Sequence, residues 1–495
     1  MIINIEKIND VHIRVTSDDQ GILQEISSFF SFEMPGARFS PQYRAKIWDG
    51  IIRLYDLHRK TLYVGLLKYL LEFAERNDYD VKYINDVVSI DTIDVNQLKE
   101  FLIWLNLYGR GKPIEIYDYQ IEAIHHALEQ KRCLLLSPTS SGKSLIIYSS
   151  MRWHLEHGRK CIVVVPTTSL VEQLYSDFED YSSENSWKVD RYCQKLYSGF
   201  PKEFQTDVLI TTWQSIVHQP ALWFKQFNVI FGDEAHNFKA KSLTSIMEKL
   251  SVCNYRIGTT GTLDNKKVHK LVLEGVFGPV HKVITTKQLM DSGRVAQLKI
   301  TALLLKYDDI TRQIVNKASY QEEMDYIVKH DKRNKFIRNL ALKCEGNTLV
   351  LFQYVEKHGK VLYEMIKDKT SDNRKVFFIF GGTDTEAREA SRKLMEDETD
   401  AICIASFGVF STGINIPSIE NVIFASPSKS KIRNLQSIGR GLRLKEGKSH
   451  CNLYDIADDF QRKSWKNHTL GHFAERLKIY SEEQFKFKII EVPIE

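Results

Sequence analysis

Short, unbroken apolar runs alternate with amphipathic stretches along the chain from about residue 114. The runs CLLLS (133–137), CIVVVP (161–166), VLITT (208–212), NVIFGDE (228–234) and YRIGTTGT (255–262) are rich in β-branched residues. A strand buried on both faces needs no polar alternation, so these runs predict parallel strands joined by helices. A second series opens near residue 348 with TLVLFQ. It continues through KVFFIFGG (375–382), AICIAS (401–406), NVIFASPS (421–428) and CNLYDIAD (451–458). Two such series predict an α/β protein with two doubly wound parallel-sheet lobes, at 113–298 and 346–460. In open sheets of this kind ligands bind beyond the carboxyl ends of the strands.

Residues 1–112 break the pattern. Strand-like pieces mix there with helices expected at 18–30 and 65–76, which predicts a small α+β domain. Residues 299–345 are polar and are expected to form a helical connector leading into the second lobe. The last stretch, 461–495, is expected to be a helical tail packed on that lobe.

A chain of 495 residues, 43% of them hydrophobic, can bury substantial cores in about two to four domains. Seven scattered cysteines with no C-x-x-C pair argue against a zinc site or a disulfide frame. No apolar run approaches the ~18 residues of a membrane span, and MIINIEKINDVH lacks a secretory pattern. A cytoplasmic protein with no membrane partner is therefore expected. The net charge of +5 names no partner, but its distribution is informative. Residues 34–60 carry Arg38, Arg44, Lys46, Arg53, Arg59 and Lys60 against Asp49 and Asp56, interleaved with Phe39, Tyr43, Trp48 and Tyr55. Basic and aromatic side chains together neutralise phosphates and stack on unpaired bases, making Arg44, Lys46, Trp48 and Arg53 candidate DNA contacts. The competing reading makes Phe39, Trp48 and Tyr55 core residues and the charges a solvated face.

Three stretches carry candidate chemistry. In SPTSSGKS (137–144), after one strand and before a helical stretch, Pro138, Thr139, Ser140, Ser141 and Gly142 would wrap a polyphosphate in backbone N–H groups and a helix N-terminus. Lys143 would neutralise the β/γ-phosphates and Ser144 would ligate magnesium, so ATP and Mg2+ are the expected cofactors. Ser137 stands where the general pattern has Gly, with the Pro138-Thr139 turn supplying the curvature. In DEAH (233–236) two adjacent carboxylates end a strand and project to opposite sides of it. Asp233 would hold magnesium, and Glu234 would orient and deprotonate the attacking water. In QSIGRGLR (436–443), Arg440 and Arg443 are three apart and suit a transferring phosphoryl group, while His236 could hydrogen-bond Gln436. Alone, each stretch also admits a structural reading: a surface turn, an acidic helix cap, or a backbone-binding patch beside KSKIR (429–433).

In this order the three stretches resemble helicase superfamily 2. Tyr119-Gln120 resembles its adenine-reading element. VPTTSLVEQ (165–173) resembles motif Ia, TTWQS (211–215) motif Ic, TTGT (259–262) motif III and SFGVFSTGINIP (406–417) motif V. The resemblance implies RecA-like lobes, a nucleotide contact at Gly413, and backbone contacts to one strand from Thr167, Thr168, Thr211, Thr212, Ser406 and Thr412. Hydroxyls and helix-start amides can make such contacts without reading bases. Asn415 stands where motif V usually has Asp, keeping hydrogen bonds but losing a charge. FFSFEMPGARFSPQYRAKIWDGIIRLYD (29–56) and the YQEE and KRN connector are similar to the UvsW-type helicases of T-even bacteriophages. That resemblance covers nearly the whole chain. It implies a monomeric ATP-dependent motor in the host bacterial cytoplasm. Its expected role is in phage recombination, replication and repair, on Holliday junctions, stalled forks, D-loops and R-loops, the last bringing RNA as a partner. Unwinding, branch migration and strand annealing are its implied activities. The rival readings are the motor of a restriction endonuclease, an ATP-switched annealing protein and an RNA-directed motor.

Overall fold

The computed structural model describes residues 1–34, 36–87, 90–197, 203–237, 240–263, 267–382, 394–395, 397–412, 419–427 and 450–494. The chain resolves into two compact units, Met1–Ser137 with Gly142–Val283, and Pro138–Ser141 with Ile284–Glu495.

The first unit holds two sheets. Near the N-terminus five strands lie in the order Tyr55–Asp56, Thr61–Tyr63, His12–Thr16, Ile2–Lys7, Asp80–Tyr83. Alternation sets their faces: Ile3, Ile5, Ile13 and Val15 turn inward. They meet Ile22, Leu23 and Ile26 of the helix Gln20–Phe29 and Leu70 and Phe73 of the helix Leu67–Arg76. Both helices match the expected α+β pattern. This core also takes in Leu271 and Val272 of the helix Lys267–Phe277, so it is continuous with the rest of the unit. Gly65 makes the close approach possible. A Cβ there would lie 2.0 Å from the Glu274 carbonyl oxygen. Backbone cannot yield as a side-chain tip can, so Gly65→Ala is expected to lower stability by about 1–3 kcal/mol, read as a lower melting temperature.

The larger sheet is fully parallel, in the order Cys193–Leu196, Val208–Thr212, Cys161–Val165, Val229–Gly232, Tyr255–Thr260, Arg132–Leu136, Val280–Lys282. All five strands read from the first apolar series are present, and the two at the edges are additional. Cys161–Val165, Val208–Thr212 and Val229–Gly232 are buried at every position, as strands covered on both faces must be.

The second unit is built on another seven-stranded parallel sheet. Its order is Val376–Ile379, Ile402–Ser406, Thr348–Phe352, Asn421–Phe424, His450–Asp459, Gln297–Lys306, Phe487–Pro493. Here two expectations need correction. The segment expected as a purely helical connector begins with the strand Gln297–Lys306, which pairs with His450–Asp459 along its full length. Its later helices, Asp309–Val315, Tyr320–Lys329 and Asp331–Lys343, bury Val315, Ile327 and Ile337 in this lobe's core. The tail expected to be helical holds the helix His468–Glu482, but it ends in the strand Phe487–Pro493. Buried ion pairs tie these additions to the sheet. Arg476 of the C-terminal helix grips Asp455, and Arg333 grips Asp458 at 2.7 Å while donating to the Ala425 carbonyl oxygen. Glu323 accepts from the backbone N–H groups of His468 and Thr469, capping the C-terminal helix.

Candidate active site

Strand register assembles the site. Gly232 lies opposite Gly258 on the neighbouring parallel strand, so Asp233 emerges beside Thr259. The Thr259 hydroxyl donates to Asp233 Oδ1 at 2.6 Å, and the Glu234 N–H donates to the same oxygen at 2.9 Å. The next residue along, Thr260, serves His236: its Oγ1 lies 2.8 Å from His236 Nδ1. The same hydroxyl lies 2.8 Å from the Thr262 carbonyl oxygen, so Thr260 ties His236 to the end of TTGT. TTGT is thus the template on which DEAH is set, a role that its sequence alone did not reveal.

The phosphate loop follows the adjacent strand, Arg132–Leu136. Ser137 N–H donates to the Thr260 carbonyl oxygen, tying the loop's base to TTGT. Ser140 and Gly142 both adopt positive φ, and the Ser141 hydroxyl closes onto the Pro138 carbonyl oxygen at 2.6 Å. Gly142 is required twice over. Its φ is +82°, and a Cβ would fall 2.3 Å from Gln120 Nε2. The helix Lys143–Glu156 starts immediately after it, presenting its first N–H groups at the loop. Half-buried Pro138 and Thr139 complete the turn.

Lys143 Nζ donates to the Ser137 carbonyl oxygen at 3.3 Å and stands 3.9 Å from Glu234 Oε1. One cation therefore faces the phosphate loop and the DEAH carboxylates together. Burial pushes the Asp233 carboxyl up from the ordinary carboxylate range, and the neighbouring Glu234 charge adds to the effect. Lys143 and the Thr259 hydroxyl oppose it. Burial pushes His236 down to about 4, with Lys143 adding to the shift, so its imidazole is neutral at pH 7. Glu234 has φ +48°, unusual for a residue with a side chain, and its buried Oε2 accepts no hydrogen bond among the described residues. Oε2 lies 3.4 Å from His236 Nδ1 and Oε1 stands 3.9 Å from Lys143 Nζ, so the carboxylate is held between the two side chains. Ser144 and Asp233 offer hard oxygen donors, which fit Mg2+.

The other expected contacts divide. Gln120 is buried and takes the Tyr117 N–H at the start of the helix Asp118–Gln130, while half-buried Tyr119 stacks on Tyr117. Thr167 caps the helix Thr168–Tyr181 by accepting from Leu170 N–H, and Thr168 is exposed. Thr211 is fully buried, and its hydroxyl donates to the Leu196 carbonyl oxygen, so in this structure its side chain braces the sheet. Thr212 is nearly buried, its hydroxyl 2.9 Å from that of Ser215. Ser406 ends its strand where the helix Phe407–Thr412 begins. Gly413, Gln436, Arg440 and Arg443 lie outside the described residues, as do Asn415 and the Thr412 side chain.

In the N-terminal basic stretch, Arg44 and Lys46 are exposed, but Arg53 is paired with Asp49 at 2.6 Å. The Trp48 indole N–H donates to the Ile51 carbonyl oxygen, so its ring is half-buried against its own hairpin. Tyr55 is a core residue, donating to the Val15 carbonyl oxygen. Phe39, by contrast, is 78% exposed and Ile47 79%, each next in sequence to a basic residue. Neither was among the candidate contacts. The basic residue Arg38 beside Phe39 was the available signal.

This site can be set against known proteins. Three family models match: "DNA helicase UvsW, N-terminal" over residues 3–85, "Type III restriction enzyme, res subunit" over 113–265, and "Helicase conserved C-terminal domain" over 331–445. The ATP-dependent DNA helicase UvsW of Enterobacteria phage T4 is 35% identical, across 96% of this chain and 96% of its own. The chain belongs to the UvsW family of ATP-dependent DNA helicases. The crystal structure of T4 UvsW covers the whole of both chains at 32% identity, with a TM-score of 0.54. Two further solved structures, each under 25% identical, share the fold. A type ISP restriction-modification enzyme, LlaBIII, has a TM-score of 0.56 at 14% identity, covering 85% of this chain and 34% of that one. The RNA-bound Dbp5 of S. cerevisiae has a TM-score of 0.54 at 13%, covering 81% of this chain and 94% of that one. UvsW-family membership therefore accounts for the small N-terminal domain as well as for both parallel-sheet, RecA-like lobes. No helix among the described residues is long and apolar enough to cross a membrane.

Proposed function

We propose that this UvsW-family helicase hydrolyses ATP with Mg2+ at the Lys143, Asp233 and Glu234 site and uses the cycle to remodel branched DNA. One observation carries the reading: Lys143 lies between the base of the phosphate loop and the carboxylate of Glu234. The loop from Ser137 to Gly142 and the helix that follows it bind the polyphosphate. Ser144 and Asp233 would hold the metal, which would supply charge neutralisation across the transferring phosphoryl group. Glu234 takes the proton from the attacking water, and His236 is held neutral so that it orients without competing for that proton. Gln120 and Tyr119 face the base. Arg440 and Arg443 are the proposed partners of the γ-phosphate, with Gln436 and Gly413 as further proposed residues of the nucleotide site.

Thr167, Thr168, Thr212, Ser406 and Thr412 are the proposed grip on one strand's sugar-phosphate backbone. Arg44 and Lys46, with exposed Phe39 and Ile47 beside them, engage the branch point, where unpaired bases offer faces to stack on. The protein acts as a monomer in the host bacterial cytoplasm, on Holliday junctions, stalled forks, D-loops and R-loops. The test is ATPase stimulation by single-stranded, duplex, forked and four-way DNA and by RNA. Forked and four-way DNA are expected to stimulate most. Replacing Arg44 and Lys46 with Glu should raise the half-saturating concentration of four-way DNA about tenfold or more and flatten its salt dependence. Stimulation by RNA alone would defeat the reading, and DNA cleavage in the same mixtures would favour a restriction motor.

A further inference from the structure

The helix that starts at Thr168 ends on the proposed metal ligand. Its last residue, Tyr181, has its hydroxyl oxygen 2.8 Å from Ser144 Oγ. The Tyr181 ring packs against Tyr148 with centroids 5.4 Å apart, and Tyr148 in turn packs on Phe178 and Trp187. The neighbouring Asp180 carboxylate accepts from the Arg110 backbone N–H at 2.8 Å, which pins the end of the helix. The hydroxyl contact is therefore built by packing and is no chance meeting of surface side chains.

A serine that ligates a cation offers it an oxygen lone pair, so its proton must point elsewhere and needs an acceptor. Partners that orient a metal ligand in this way affect affinity nearly as strongly as the ligand itself. We infer that Tyr181 is a positioning residue for Ser144, accepting a hydrogen bond from the serine hydroxyl so that the oxygen's lone pairs are left for a metal. The inference rests on the reading of Ser144 as a magnesium ligand. It deepens that reading by adding a residue outside every motif in the sequence.

The test is equilibrium binding of a fluorescent ATP analogue to the full-length protein, with Mg2+ and with EDTA. Wild type, Tyr181→Phe, Ser144→Ala and the double variant are compared. Phenylalanine keeps the ring and its packing, and equal melting temperatures establish that the fold is intact. Tyr181→Phe should cut the Mg2+-dependent gain in affinity about tenfold while leaving metal-free affinity unchanged. In the Ser144→Ala background the same change should have no further effect, because the proton it orients is gone. An undiminished Mg2+ gain in Tyr181→Phe, or an effect that simply adds to that of Ser144→Ala, overturns the role of Tyr181. If the wild type shows no Mg2+ gain, or Ser144→Ala keeps all of it, the metal-site reading falls and takes this inference with it.

Discussion

Lys143→Ala should reduce ATP turnover by at least about 10²–10³-fold and abolish unwinding with it. The side chain carries the one positive charge shown facing both the loop and the DEAH carboxylates, donating to the Ser137 carbonyl oxygen and standing 3.9 Å from Glu234. Two effects follow from its loss. The incoming phosphates lose their partner, so nucleotide affinity falls. Asp233 and Glu234 also lose the cation that offsets their mutual repulsion, so the Asp233 carboxyl rises further from the range in which it can bind a metal. Steady-state ATPase with saturating four-way DNA, beside nucleotide binding, measures both. A variant that binds and hydrolyses normally would remove Lys143 from the site.

Glu234→Gln is expected to separate binding from chemistry. Gln has the same shape and can occupy the same strained backbone position, so the turn at φ +48° survives. What it loses is basicity. The oxygen that accepts no hydrogen bond in the structure belongs to a carboxylate able to take a proton, and an amide cannot take one. Turnover should fall about 10²–10⁴-fold, the usual contribution of a general base, with ATP affinity within a few-fold of wild type. Removing the negative charge beside Asp233 should also ease its ionisation, favouring tighter rather than weaker metal-nucleotide binding. Single-turnover hydrolysis and equilibrium binding on one preparation distinguish this from general damage. A parallel loss of both would mean that Glu234 shapes the loop and is not the base.

The sequence was most legible where burial is most complete. CIVVVP, VLITT and NVIFGDE each hold an unbroken apolar run because both faces of the strand are covered, and each contains a strand of the first large sheet. Gln297–Lys306 and Phe487–Pro493 were misread as parts of helical segments. The first, QLKITALLLK, has exposed Gln297 and Lys299 and is rich in leucine, a good helix former. The second lies at the sheet edge, and most of its residues are exposed, so it lacks the apolar run of a covered strand. At the site, spacing singled out Lys143, Asp233, Glu234 and Ser144 as candidates because the role proposed for each rests on its own side chain. The supporting residues were illegible for the opposite reason. Thr259, Thr260 and Tyr181 act by hydrogen-bonding residues far along the chain, and only strand register and helix packing bring them there. Thr211 shows the converse, since a hydroxyl in a suitable motif can be consumed by the sheet.

ATP hydrolysis at this site is proposed to drive the movement of DNA. Branch migration of a synthetic four-way junction tests it most directly, followed in real time with wild type and Glu234→Gln, with ATP, with a non-hydrolysable analogue and without nucleotide. Wild type with ATP should resolve the junction into duplex products, while the variant and the analogue should bind it and leave it intact. Resolution by Glu234→Gln at the wild-type rate, or by wild type without nucleotide, would contradict the claim and leave a strand-annealing protein in its place.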